Sequence, residues 1–145
     1  MSNAGGASMG AGSGSANPEY VNSRVRSRRA ALFDEDEYIG VRMDRFAELY
    51  GSLDEGGGGL LSLATILLTF AYPREYIFYK WSLMSSFFGD FAAYDVDTGY
   101  ETDQYWKLNL ACREQILPVL DRELDDATLL DVHTLLYVYH KEYTD

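Results

Sequence analysis

The chain has 145 residues, 47% of them apolar, a formal net charge of −11 and one cysteine. That length allows one ordinary domain, and the lone cysteine excludes an internal disulfide or a cysteine-built zinc cluster and predicts a reducing, cytoplasmic compartment. The charge is uneven: Arg24, Arg26, Arg28 and Arg29 stand in an acid-free stretch, whereas the residues from 30 onward hold eight basic and 22 acidic side chains, a net −14 that repels phosphate backbones outside a local basic patch.

Residues 1–19 are almost all Gly, Ser, Ala and Asn and offer no large side chain to bury. Residues 1–29 therefore read as a disordered tail and basic linker, and 30–145 as a single helical domain. Leu32–Tyr50 is predicted helical towards its end, where Val41, Met43, Phe46, Leu49 and Tyr50 recur at spacings near three and four, with Gly40 separating two short helices. Gly56–Gly59 predicts a turn, since each glycine costs about 1 kcal/mol in a helix. A helix then runs Leu60–Ala71 and stops before Pro73, which disfavours the α conformation in the residue preceding it. The apolar run from Leu60 to Tyr72 is too short to span a bilayer.

Tyr76–Lys80 is aromatic and β-branched and predicts a lone extended segment or one short strand. Alternation sends Tyr76, Phe78 and Lys80 to one face and Ile77, Tyr79 and Trp81 to the other. Ser82 is the expected cap of a helix through Phe88, with Gly89 as its terminator. Asp95–Thr102 is a polar loop turning at Thr98-Gly99. Asp103 caps the next helix, whose stripe is Tyr105, Leu108, Cys112, Ile116 and Val119; Pro118 breaks it, kinks it or starts a new one. Asp126 caps a last helix, Ala127–Tyr143, with a buried stripe of Leu129, Val132, Leu136, Tyr139 and Tyr143. The expected fold is mainly α: a compact bundle of about five or six helices with at most one short extended segment near residues 76–80.

No complete catalytic constellation emerges. His133 and His140 are two helical turns apart, wider than zinc-binding His-x-x-x-His, and read as boundary histidines bonding a neighbouring helix. Asp125, Asp126 and Asp131 suit capping and the helix dipole. Asp95, Asp97 and Glu101 lack the glycine position of a calcium loop. Cys112 lies on an apolar stripe as a small core residue. Gly56–Gly59 is followed by Leu60-Leu61 where a phosphate-binding loop needs Lys-Ser or Lys-Thr. Its amides retain a weaker capacity to meet a phosphate at a helix start.

The densest aromatic cluster is Tyr72, Tyr76, Phe78, Tyr79 and Trp81, with Arg74 and Lys80 inside it. Aromatic rings with local cations stack bases and hold phosphates, and they serve equally as a core wall with snorkelling cations. Arg74, Tyr76, Tyr79, Lys80 and Trp81, helped by Arg24, Arg26, Arg28 and Arg29, form the candidate nucleic-acid or partner contact.

Three stretches add a resemblance. Leu32–Glu35 with Arg42–Phe46, then Gly59–Ser62 through Tyr72-Pro73-Arg74-Glu75-Tyr76-Ile77-Phe78-Tyr79-Lys80, then Leu129–Val138, together resemble the helical domain ahead of the AAA+ motor in McrB-type restriction ATPases and related prokaryotic defence proteins. The resemblance implies a non-enzymatic accessory domain beside a GTP- or ATP-driven motor, recognising DNA or a nucleoprotein, with an AAA+ motor or nuclease subunit as partner and no cofactor of its own. The acidic body departs from a DNA reader. It leaves as alternative an acidic protein–protein adaptor, with high-salt adaptation as the simpler source of the charge. The glycine-rich turn, apolar helix and Pro-x-x-Tyr order also resemble helix-hairpin-helix DNA-repair folds, which would put a catalytic Asp at Asp90, but Phe91 and its neighbours read as core. A small hydrolase using His133, Asp131 or Asp90 is the remaining alternative.

Overall fold

The structure, a computed structural model, describes residues 32–50 and 58–144. They form a helical fold: α1 (Ile39–Tyr50), α2 (Gly58–Ala71), α3 (Trp81–Ala92), α4 (Thr102–Ala111), a π turn (Cys112–Ile116), α5 (Leu117–Glu123) and α6 (Leu129–Tyr143). The α4, π and α5 pieces make one continuous rod, because every residue at their junctions is right-handed helical. No strand occurs among the described residues. The tail, the Arg24–Arg29 stretch and Gly56-Gly57 lie outside them.

Helix boundaries follow capping chemistry that differs in places from the sequence pattern. Gly40 lies inside α1 and does not divide it; a Cβ there would sit 2.8 Å from the Tyr38 ring. Gly58 and Gly59 already belong to α2, which ends at Ala71 ahead of Pro73. Gly89 is interior to α3, which starts at Trp81 with no side-chain cap and continues to Ala92. It ends at left-handed Ala93 (φ 50°), after which the Tyr94 N–H donates back to the Phe88 carbonyl at 3.0 Å. Glu101, not Asp103, precedes α4, and Asp103 sits in its first turn, where the dipole favours it. The cap of α6 is Thr128, not Asp126. Its hydroxyl accepts from the Leu130 N–H, and Asp131 reaches back to the Thr128 N–H at 2.7 Å in a capping box. In the loop before α4, Gly99 takes φ 100°, a conformation that favours glycine.

Pro118 starts the α5 piece, the last of the three outcomes the sequence allows, and does not interrupt the helical backbone. The Leu117 N–H donates to the Cys112 carbonyl, a five-residue step, and Pro118 enters the first turn of α5, where its missing N–H costs least. The extra residue of a π turn rotates everything beyond it by about 100°. Tyr105, Leu108 and Cys112 are buried as the stripe predicts, but beyond the turn Leu117 takes the core position and Val119 is 51% exposed.

The core collects Leu32, Met43 and Phe46 around α1, Leu61, Ala64 and Leu68 of α2, Leu83, Met84 and Phe88 of α3, and Leu129, Val132 and Leu136 of α6. Through it runs the extended segment 76–80. With no strand beside it, its backbone groups need other partners, and helix side chains supply them. The Ile77 N–H donates to Asn109 Oδ1 at 2.7 Å, and the Ile77 carbonyl accepts from the Tyr105 hydroxyl at 2.8 Å, both from α4. The Tyr79 N–H donates to Thr65 Oγ1 at 2.9 Å, and its carbonyl accepts from Ser62 Oγ at 2.9 Å, both from α2. Asn109 Nδ2 also donates to the Glu75 carbonyl at 2.8 Å. Asn109, Thr65 and Tyr105 are fully buried, and burial pushes the Tyr105 hydroxyl well above its ordinary pKa, so it stays a donor.

Candidate functional site

The cation–aromatic element is a core wall. Tyr79 is 1% exposed and Tyr76 is 7% exposed, Ile77 is sealed between them, and Phe78 is half-buried. The expected two-face alternation does not appear, because helices cover this segment on both sides. The Tyr79 ring meets Tyr105 edge-on, and the Tyr76 ring packs on Tyr72 and Trp106. Burial lifts the Tyr79 hydroxyl to about 12, foremost by desolvation. Neither ring has a free face for a base, which removes Tyr76 and Tyr79 from the predicted contact.

Arg74 is spoken for as well. Its Nη1 donates to the Ala127 carbonyl at 2.6 Å, and its Nη2 lies 3.4 Å from Asp121, whose other oxygen accepts from the Ala127 N–H. The side chain pins the 73–75 turn to the loop before α6, beside the Leu129 N–H that donates to the Pro73 carbonyl at 2.7 Å. Lys80 and Trp81 do reach solvent, although the indole N–H is committed to the Val96 carbonyl at 3.0 Å. The predicted group thus splits into two buried rings and three residues that reach solvent, of which Arg74 is bonded to its own chain. Arg24, Arg26, Arg28 and Arg29 lie outside the described residues.

The histidines divide too. His140, on α6, bonds the neighbouring helix as expected: its Nδ1 lies 2.7 Å from Ser86 Oγ of α3 and 2.9 Å from Thr144 Oγ1. Ser86 Oγ also donates to the Ser82 carbonyl, and no carboxylate bonds His140 among the described residues, so the pair acts as a clasp between α3 and α6. His133 packs its ring on Phe78 at 4.8 Å, with Nδ1 buried and unpartnered, and desolvation lowers its pKa. Asp131 is consumed by the capping box. Cys112 is fully buried, and desolvation raises its thiol to about 12, which suits a core residue. No group of three or more His, Cys, Asp or Glu that could hold a metal ion occurs among the described residues. No described helix is long and apolar enough to cross a membrane.

An exposed aromatic surface lies where the sequence pattern predicts core. Phe87 and Phe91 stand one turn apart on α3, and Tyr139 and Tyr143 one turn apart on α6. Their rings make a continuous row: Phe87–Phe91 centroids are 4.6 Å apart, Phe91–Tyr139 5.2 Å, and Tyr139–Tyr143 5.4 Å with near-parallel planes. Phe91 is 65% exposed and Tyr143 75%. The α6 stripe therefore leaves the core at its C-terminal end: Leu129, Val132 and Leu136 are buried, Tyr139 half-buried and Tyr143 in solvent. Asp90 sits among these rings, accepting from the Tyr139 hydroxyl at 2.6 Å, a bond that raises the tyrosine pKa. The paired i, i+4 spacing of Phe87/Phe91 and Tyr139/Tyr143 is the sequence signal for this row, and it is identical to a core stripe.

The described surface as a whole is acidic. Every described Asp and Glu is exposed except Glu37 and Asp131, which are half-buried. Of the eight cations, Arg42 is buried, Arg45 pairs with Glu37, and Arg74 with Asp121. No protein-family model, curated protein or solved structure matches this chain.

Proposed function

We propose that this domain is a protein-binding adaptor that docks a basic segment of a partner protein on the aromatic surface between α3 and α6. The observation that carries it is the row Phe87–Phe91–Tyr139–Tyr143, half-buried at Phe87 and Tyr139 and open at Phe91 and Tyr143, with Asp90 bonded to Tyr139 and carboxylates exposed over the described surface. Contiguous exposed rings mark interaction sites, aromatic residues dominate binding energy at interfaces, and an acidic surface steers cationic partners and repels nucleic acid. The resemblance to accessory domains of McrB-type ATPases supplies a partner class for the same reading, an AAA+ motor or nuclease subunit. Direct DNA binding has less support, because the rings it relied on lie in the core and Arg74 is bonded to its own chain.

The test is fluorescence polarisation of labelled ten-residue basic, acidic and neutral peptides, and of a short DNA duplex, with the full chain at low and high salt. Binding of the basic peptide alone, weakening with salt, is the expected result. Failure of the basic peptide to bind at low salt ends the adaptor reading, and tight duplex binding would restore the nucleic-acid one.

A further inference from the structure

We infer that the α3–α6 patch is an arginine-recognition site, in which the guanidinium of a partner's arginine stacks on Phe91 and Tyr143 and pairs with Asp90; this rests on the adaptor reading above. Three features single out arginine among basic side chains. The row offers ring surface in solvent at Phe91, 65% exposed, and at Tyr143, 75% exposed, each flanking Tyr139 at 5.2 and 5.4 Å, with Tyr143 stacked on Tyr139 and its outer face left open. A guanidinium is planar and weakly hydrated and lies flat on such rings, whereas an ammonium is a compact, strongly hydrated point charge. Asp90 fixes the charge. One carboxylate oxygen accepts from the Tyr139 hydroxyl at 2.6 Å, and the other takes no hydrogen bond among the described residues, which leaves an acceptor for the guanidinium fork.

The local electrostatics agree. On α6, Tyr139 and Tyr143 lie about 40° apart around the helix axis, while Lys141 points about 160–200° away from both, so the helix's own cation is off the patch. Glu142 flanks the rings within about 100°, and it is exposed. From α3, Asp90 is the charged residue between Phe87 and Phe91. The Ser86–His140 contact at 2.7 Å, each residue next in chain to a ring of the row, clasps α3 to α6, so the two halves of the row are held in one geometry before a ligand arrives.

The experiment uses the full chain and three peptides differing at one central position, arginine, lysine or citrulline, in an otherwise identical lysine-containing background. Citrulline keeps the planar shape and removes the charge. The expected result is arginine binding at least tenfold more tightly than lysine or citrulline, with Phe91→Ala, Tyr143→Ala and Asp90→Asn each erasing that preference while leaving the weak charge-driven binding of the lysine peptide. Thermal melts unchanged in the variants keep the result independent of folding, and Asp90→Asn retains an acceptor for Tyr139. Equal binding of arginine and lysine peptides, or an arginine preference that survives Phe91→Ala and Asp90→Asn, overturns the site while the adaptor reading stands. Absence of binding by all three removes both. Concentration-dependent dimerisation in sedimentation velocity that Phe91→Ala abolishes would give the patch to a second copy of the chain and overturn the arginine site.

Discussion

Two aromatic groups of similar composition meet opposite fates. Tyr76, Phe78 and Tyr79 thread between α2 and α4 and are sealed or half-sealed, while Phe87, Phe91, Tyr139 and Tyr143 line two adjoining helices and open progressively to solvent. The difference lies in what else each group carries. The extended segment brings unpaired peptide groups, so burying it demands Asn109, Thr65, Tyr105 and Ser62 as surrogate ladder partners. The helical group has its peptide bonds satisfied within α3 and α6, so nothing compels a cover over its rings. Buried rings next to committed polar groups hold the fold; exposed rings on self-sufficient helices are free to bind.

That contrast is broken first by truncating the wall. Tyr79→Ala should cost about 3–5 kcal/mol, the range for large aromatic-to-alanine changes in cores, read as a lowered midpoint in urea. Asn109→Leu should follow at about 2 kcal/mol or more, because it leaves the buried Ile77 N–H without a partner and removes the part-buried bond to the Glu75 carbonyl. A loss for Asn109→Leu no larger than that of an exposed helical residue would mean the segment is not tied as described.

A smaller effect comes from pH. Desolvation holds the His133 pKa below its ordinary 6.5 in the fold, so the unfolded chain binds the proton more readily. Stability from this residue is intact above about 6.5 and declines as pH falls from there towards the lowered folded value. Urea midpoints across pH 5–8 should slope upward with pH more weakly in His133→Phe than in the parent; identical slopes would show that His133 does not titrate against the Phe78 wall.

The smallest expected stability change is at the open row. Phe91→Ala and Tyr143→Ala should stay within about 0.5 kcal/mol of the parent, as exposed substitutions usually do. A loss above 2 kcal/mol in either would place these rings with the core and erase the distinction between the two groups.

Much of the fold was legible. Pro73 stops α2, and the 3–4 spacing of Leu129, Val132 and Leu136 marks α6, since periodicity and proline act locally. Capping was less legible: Thr128 with Asp131 competes in sequence with Asp126, and Asp126 loses because the helix starts at Leu129 while Asp126 itself turns through a left-handed backbone (φ 56°) two residues before the cap. Of the predicted contact, Arg74, Lys80 and Trp81 reach solvent, and the exposed row passed for core in the pattern. An aromatic pair one turn apart looks the same whether or not another element covers it.

By itself the amino-acid sequence determined a mainly helical chain with one extended interruption, an acidic body and a buried, inert cysteine, because helix spacing, glycine and proline punctuation and net charge are properties of neighbours along the chain. Only the tertiary structure decided which aromatic rings are covered, that a π turn moves the buried position from Val119's side of the rod to Leu117, and that Asp90 meets Tyr139 across 49 residues. Those outcomes depend on which helix packs beside which, and a linear pattern of apolar residues is indifferent to that choice.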